Sequence, residues 1–385
     1  MTRIVANWVT APSPAAVMAA LGEGFFVGGC VRNALMDRPV ADIDIATPLM
    51  PEEVCRRLEA AGIRTHPTGL QHGTITAVVE GEPVEVTTFR TDIETDGRHA
   101  VVHFTTDMAL DAGRRDFTMN ALYATADGTV IDPLGGLPDL HARRVRFIGD
   151  PHDRIREDYV RILRFFRFHA LYGGDGIDAD GLAACAELAD GIDGLARERI
   201  GWEFRKLLGA PDPAPSVASM AASGVLARCL PGANAEALAP LVHAEEQANR
   251  PPDWVLRLFA LGSGDMRDAL RLSRAEASAL QAIQAALDLD RPWEAAYRLG
   301  VEAATRAALI KASVTGDLSA DLLVIEEGAA ARFPLAAADL IAAGHKAGPT
   351  LGAALKAAEA AWIDSRFTLD KPALIALAAK VSGRD

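Results

Sequence analysis

FFVGGCVRNALMDRPVADIDIAT, residues 25–47, is the stretch on which the fold turns. Phe25 to Val27 reads as a short apolar strand that stops at Gly28-Gly29, and Val31 to Met36 reads as a helix. Asp42 to Ala46 alternates acid with isoleucine, the period-two pattern of a half-buried strand. Two acids two apart on a strand point to the same face. Together they can hold a hard divalent cation such as magnesium. The glycines let backbone N–H groups come close to a triphosphate, with a helix N-terminus behind them. Arg32, early in that helix, adds a charged donor. An acid pair alone is commonly two solvated side chains, and a Gly-Gly alone is only a turn. Glycines that end one strand, with acids on the next, are far more specific.

Outward from this stretch, Ser13 to Leu21 reads as a short helix, with Ser13 as N-cap and Pro14 in the first turn. Pro51 to Ala61 reads as another helix. The runs ITAVV (75–79) and VEVTTF (84–89) flank Glu80-Gly81-Glu82-Pro83, which predicts a β-hairpin. Residues 1–135 are therefore an α+β domain. Beyond residue 136 only Val145 to Ile148 reads as a strand. Helical patterns cover 153–172, 179–189 and 196–208. GAPDPAP at 209–215 is a Pro/Gly break, and 211–385 reads as all-helical. The expected organisation is a head (1–135), a helical neck (136–210) and a helical body and tail (211–385).

The chain has 385 residues, half of them hydrophobic, enough for more than one packed domain. No apolar run approaches the ~18 residues that span a membrane, and the start, MTRIVANWVTAPSPAAV, lacks the apolar core of a signal peptide. A cytoplasmic protein is expected. Cys30, Cys55, Cys185 and Cys229 lie far apart with no CxxC pair, which predicts reduced thiols and no zinc site. The net charge of −13 argues against a protein that coats nucleic acid nonspecifically. Arginine is nonetheless concentrated locally, at 143, 144, 146, 154, 156, 161, 164 and 167.

Two further constellations carry chemistry. In Arg114-Arg115-Asp116-Phe117-Thr118-Met119-Asn120, Phe117, Asn120 and Ala121 would share a helical face. Arg115 can reach phosphate, while Asp116 and Asn120 can read ribose hydroxyls; the plainer alternative is a helix capped by Asp116. In Glu157-Asp158-x-x-Arg161-x-x-Arg164-x-x-Arg167, read as one helix, Asp158 and Arg161 are neighbours at i,i+3. Successive steps of three lag around the helix, so Arg164 and Arg167 wind away from the acid. That suits a curved surface holding base, sugar and phosphates better than a salt-bridge ladder.

In order along the chain, FFVGGCVRNALMDRPVADIDIAT resembles motif A of class II CCA-adding enzymes, in the polymerase β-like nucleotidyltransferase superfamily. RRDFTMNAL (114–122) resembles motif B, DPLGGLPDL (132–140) motif C, REDYVRILRFFRF (156–168) motif D, and GLARERIGWEFRKLL (194–208), more loosely, motif E. The resemblance covers residues 25–208. It implies a head with a five-stranded sheet, then helical neck, body and tail. It implies Asp42 and Asp44 as catalytic magnesium ligands. Nucleotide contacts would come from Gly28, Gly29, Arg32, Arg115, Asp116, Asn120, Asp158, Arg161, Arg164 and Arg167. ATP, CTP and tRNA are the implied partners, with the protein itself as template. Relatives often carry aspartate where Asn33 stands. The stretch at 66–74 resembles the CCA-adding form and lacks the basic element of bacterial poly(A) polymerases. With only His243 and His345 after residue 210, no HD phosphohydrolase site is expected.

The templating can be rebuilt from chemistry. Cytosine and adenine each present an amino donor beside a bare ring nitrogen. A carboxylate accepts from the first and a guanidinium donates to the second, so Asp158 and Arg161 suit both. Uracil and guanine present the reverse pattern. The readings that stay open are poly(A) addition, C-only or A-only addition, an RNA binder without catalysis, and a small-molecule nucleotidyltransferase. Glu85 is either a third acid or a surface glutamate on the hairpin.

Overall fold

The computed structural model describes residues 2–95, 100–262, 264–317 and 319–381. They fold as two compact units, Met1–Ala235 with Ser263–Arg271, and Glu236–Gly262 with Leu272–Asp385. In the first unit, α1 (Pro12–Leu21), β1 (Phe25–Val27), α2 (Gly29–Leu35), β2 (Asp44–Thr47) and α3 (Pro51–Ala60) are followed by β3 (Arg64–Gly69), β4 (Thr74–Val79) and β5 (Glu82–Thr88). Then come β6 (Arg90–Thr95), β7 (Ala100–Phe104), α4 (Met108–Gly113), β8 (Tyr123–Ala124) and β9 (Val130–Ile131).

The main sheet runs β3-β4-β5-β2-β1-β8-β9, and β6 and β7 form a separate ribbon. Among the described residues of the sheet only β2 and β5 pair in parallel, so the sheet is mixed. The fold is α+β, as the sequence indicates. The sheet is wider than the five strands implied by the resemblance: β8 and β9, two residues each, extend it beyond β1. Phe26, Ile45, Ile75, Ala77, Val84 and Val86 fill the core from the alternate positions of β1, β2, β4 and β5.

Several local expectations change. The hairpin turns on Glu80 and Gly81 alone, with φ of 53° and 90°, and Val79 already pairs with Glu82. Positive φ at both turn residues matches the twist of the flanking strands, so Glu82 and Pro83 join β5. Ser13 does not cap α1. Pro12, with φ preset for the first helical position, starts the helix one residue earlier, and Ala11 takes the cap without a side-chain bond. Ser13 is buried and donates to Glu82 Oε2 at 2.9 Å. Asp42 precedes β2 rather than lying on it. Val145 to Ile148 contributes a single bridge, Phe117 to Phe147, rather than a strand.

The remainder of the first unit is helical: α5 (Leu137–His141), α6 (Pro151–Glu157), α7 (Val160–Tyr172), α8 (Ala179–Glu187), α9 (Arg197–Leu208), α10 (Ala214–Ala222) and α11 (Val225–Cys229). The continuous helix expected over 153–172 breaks at Asp158, which is extended at φ −159°, ψ 106°. The 209–215 break lies inside this unit and leads into α10. Cys30, Cys185 and Cys229 are free, buried thiols; burial pushes Cys30 up to about 11 and Cys229 to about 12.

The second unit is helical wherever it has regular structure among the described residues. Alanines 295, 296, 303, 304, 307 and 308 let its helices approach closely. Arg257 Nε meets Glu245 Oε2 at 2.7 Å, with both side chains 2% exposed. Among the described residues, no helix is long and apolar enough to cross a membrane.

Candidate active site

The site is seated on an aromatic cluster. Phe117 is fully buried and packs on Phe147 and Phe168, with ring centroids 5.0 and 4.9 Å away. Because Phe165 and Phe168 belong to α7, this cluster clamps residues 114–121 to that helix. The expected helix there is a single 3₁₀ turn, Thr118–Asn120. Asp116 caps no α-helix. Its Oδ1 accepts from the Phe117 N–H at 2.9 Å and Asn120 Nδ2 at 2.8 Å, while Oδ2 accepts from Arg164 Nη2 at 2.5 Å. Burial pushes its carboxyl up, but the Arg164 charge and these hydrogen bonds outweigh it and hold the group below its ordinary value.

Above the cluster lies a cavity of about 670 Å³. Of the sequence-derived residues, Gly28, Gly29, Arg32, Asp44, Arg115, Asp116, Asn120, Asp158, Arg161 and Arg164 line it. Gly28 sits at φ 72°, where a side chain would also come within 3.2 Å of Arg115, so the backbone there is bare. Arg32 is buried and donates to Asn120 Oδ1 at 2.5 Å and Tyr172 Oη at 2.8 Å. Asn33 Oδ1 accepts from Arg32 Nη2 at 2.9 Å while its Nδ2 donates to the Pro39 carbonyl at 3.0 Å. An aspartate at 33 cannot make the second bond. Arg32, Asn120, Asp116 and Arg164 therefore form one hydrogen-bonded chain across the head and α7. Arg115 Nη2 reaches Asp111 at 3.2 Å, whereas its buried Nε has no partner among the described residues, a donor that an anion in the cavity can satisfy.

The two acids divide. Asp44, the first residue of β2, is half-buried and lines both this cavity and a second one of about 720 Å³ that also contains Asp42, Glu82 and Glu85. Asp42 is exposed and lines only the second. Glu85 lies directly opposite Asp44 in the parallel β2–β5 pair. Burial, then the Glu85 charge, raises the Asp44 carboxyl; Arg115 opposes and Asp42 adds to the rise. Mutually repelling carboxylates with only oxygen donors fit a hard divalent cation. Among the described residues, no three His, Cys, Asp or Glu side chains form a ready-made cage.

Asp158 and Arg161, neighbours in the sequence, do not pair with each other through their side chains. Because the chain is extended at Asp158, its carboxylate leaves the helix face: Oδ2 takes Arg199 Nη2 at 2.5 Å and Oδ1 takes the Val160 N–H at 3.2 Å. Arg161 pairs with Glu157 and donates to the Arg154 carbonyl at 2.9 Å. Arg167 is off the lining; it is buried against Glu203 of α9 at 2.5 Å. The winding of Arg167 away from the acid takes it off the cavity lining.

Sequence reading missed three contributors. Arg154 Nη2 donates to the Arg115 carbonyl at 2.6 Å, tying α6 to the turn that carries Arg115. Arg199 and Trp202 bring α9 into the wall. The signal for α9 was its second face: Ile200, Phe204, Leu207 and Leu208 are buried, which leaves 198, 199, 202 and 203 toward the cavity.

A mixed sheet with a Gly-Gly turn, acids at the adjoining strand and an arginine-walled cavity define a nucleotidyltransferase head. Residues 24–146 match the family model of the poly A polymerase head domain, and 176–236 match that of a probable RNA- and SrmB-binding site of polymerase A. The CCA-adding enzyme of Lacticaseibacillus paracasei is 32% identical, over 95% of this chain and 94% of that protein. The crystal structure of Bacillus stearothermophilus CCA-adding enzyme in complex with CTP superposes with a TM-score of 0.74 at 30% identity, covering 96% of both chains. The chain belongs to the class II CCA-adding enzyme family. The mitochondrial CCA tRNA nucleotidyltransferase 1 of Danio rerio is 45% identical over 47% of this chain and 43% of its own length, so the match spans under half of that relative.

Proposed function

We propose that this chain adds CMP and AMP, from CTP and ATP, to the 3′ end of tRNA without a nucleic-acid template. The observation that carries the reading is Asp44, shared between an arginine-walled cavity able to hold a nucleotide and an acid-lined cavity beside it. The bare Gly28–Gly29 backbone, Arg32 and Arg115 hold the triphosphate. Asn120 and Asp116 meet the ribose, with Arg164 fixing Asp116. Asp158 and Arg161 read the base edge once the nucleotide replaces some of their present partners. Arg167, off the cavity lining, acts through Glu203.

Asp42 and Asp44, with Glu85 alongside, would hold magnesium. Two such ions would activate the RNA 3′-hydroxyl and stabilise the leaving pyrophosphate. Residues 1–135 carry catalysis, 136–210 base recognition, and 211–385 the contact with tRNA. The relative solved with CTP, which shares 30% identity and nearly its whole length, supports this reading.

The test uses tRNAs truncated before the first C, the second C and the terminal A. Each is incubated with magnesium and one nucleoside triphosphate at a time. CTP should extend the first two, ATP only the third, and extension should then stop. Long A tails on unrelated RNA would move the assignment to a poly(A) polymerase, and extension of only one class to a C-only or A-only enzyme.

A further inference from the structure

Helix α9 carries a side chain that the base- and phosphate-binding roles leave unused. Trp202 is 58% exposed although it lines the nucleotide cavity. Its helix buries a separate apolar face, so core packing does not explain the tryptophan. One turn further on, about 6 Å along the axis, exposed Lys206 sets its ammonium 4.4 Å from the indole centroid. One turn before, Arg199 holds the base reader Asp158. Lys206 is partly desolvated, pressed by Arg167 and Arg164, and drawn in the other direction by Glu203 and Asp42. The stripe 199–202–206 thus runs from the base-reading end of the cavity to within electrostatic reach of the Asp42 acid.

An exposed aromatic ring with a cation beside it is the chemistry of single-stranded nucleic-acid binding: a base stacks on the ring and a phosphate meets the charge. The incoming nucleotide already has edge readers in Asp158 and Arg161 and phosphate donors in Arg32 and Arg115. The second nucleotide the reaction requires is the RNA end, whose hydroxyl must reach Asp42 and Asp44.

We infer that Trp202 and Lys206 form the platform for the 3′-terminal nucleotide of the acceptor RNA, the indole stacking its base and the ammonium pairing with its phosphate. This rests on the transfer reaction proposed above. Trp202 positions the acceptor and takes no part in bond making.

The test uses the full chain and tRNA lacking only its terminal A, in two forms: one with a normal 3′-terminal cytidine and one with that nucleotide abasic. Trp202→Leu should raise the KM for the normal acceptor about tenfold, leave the KM for ATP unchanged, and be largely rescued in Trp202→Phe. On the abasic acceptor, wild type and Trp202→Leu should be equal, since the two losses remove one contact. Lys206→Gln should lower the salt slope of RNA binding by about 0.7. A raised KM for ATP with an unchanged acceptor KM would assign the indole to the incoming nucleotide and overturn the inference. An equal Trp202→Leu penalty on both acceptors, or no penalty on either, would also overturn it. If wild type extends neither RNA, the transfer reading fails at the control and the platform falls with it.

Discussion

Replacing Asp158 with asparagine changes hydrogen-bond polarity at constant size. The carboxylate now accepts on both oxygens, from Arg199 at 2.5 Å and the Val160 N–H at 3.2 Å. An asparagine will turn its carbonyl toward the Arg199 guanidinium, because two donors face to face repel. Its NH2 then takes the other oxygen's place, where it cannot accept from the Val160 N–H, so that contact is lost, the amide turns toward the cavity, and the edge offered to a base becomes a donor. Cytosine and adenine lose their acceptor, while uracil and guanine, with a carbonyl at the corresponding position, gain a partner. One mispaired buried hydrogen bond costs about 1–3 kcal/mol. The Asp158 side chain is 22% exposed, which places the effect in the lower part of that range, about 1–2 kcal/mol, or roughly 5- to 30-fold. The assay is kcat/KM for each of the four nucleoside triphosphates on one acceptor tRNA. The CTP/UTP and ATP/GTP ratios should both fall by that factor in Asp158→Asn. A uniform fall for all four, with ratios intact, would reduce this segment to a structural ion-pair network and refute base reading by Asp158.

Asp44→Asn should abolish transfer yet keep or raise the Tm at pH 7: its folded-state carboxyl is raised, so its charge costs stability that builds as pH rises from the ordinary carboxylate value, about 4, to the raised folded value, and the Tm difference from wild type should vanish below about pH 4. A lower Tm at pH 7 would contradict the repulsion between Asp44 and Glu85. Arg164→Leu strands the buried Asp116 carboxylate and should cost about 2–4 kcal/mol, the partial exposure of Arg164 trimming the usual penalty. Adding Asp116→Asn should restore most of it in a denaturant titration, and Asp116, being depressed, should contribute stability that wild type loses as pH falls through the folded value. Glu245→Gln alone should destabilise the second unit by about 3–5 kcal/mol, whereas Glu245→Leu with Arg257→Met should melt near or above wild type, because paired hydrophobic replacement removes both desolvation costs. Gly201→Ala should destabilise by about 1–3 kcal/mol through overpacking, since its Cβ would sit 2.0 Å from the Leu270 carbonyl oxygen; an unchanged Tm would mean that α9 and the helix Met266–Leu270 separate freely.

Local pattern determined much of this protein. Alternation in residues 42–46, the Gly-Gly turn, the hairpin and the shift to helical periodicity after residue 136 each depend on neighbours a few positions apart, so they are legible along the chain. Ten of the twelve residues chosen for chemistry line the one cavity because their motifs end strands or open helices at its wall. What only the tertiary structure decided are the partnerships. Asp158 leaves Arg161 for Arg199, 41 residues on, because the chain is extended where helical spacing promised a turn. Arg167, off the cavity lining, goes to Glu203, and Glu85 comes to stand opposite Asp44 through a parallel strand pair that no local period announces. Local preference sets which residues belong to an element; which carboxylate each guanidinium finds is set by how distant elements pack, and that free energy is spread over contacts between residues tens of positions apart.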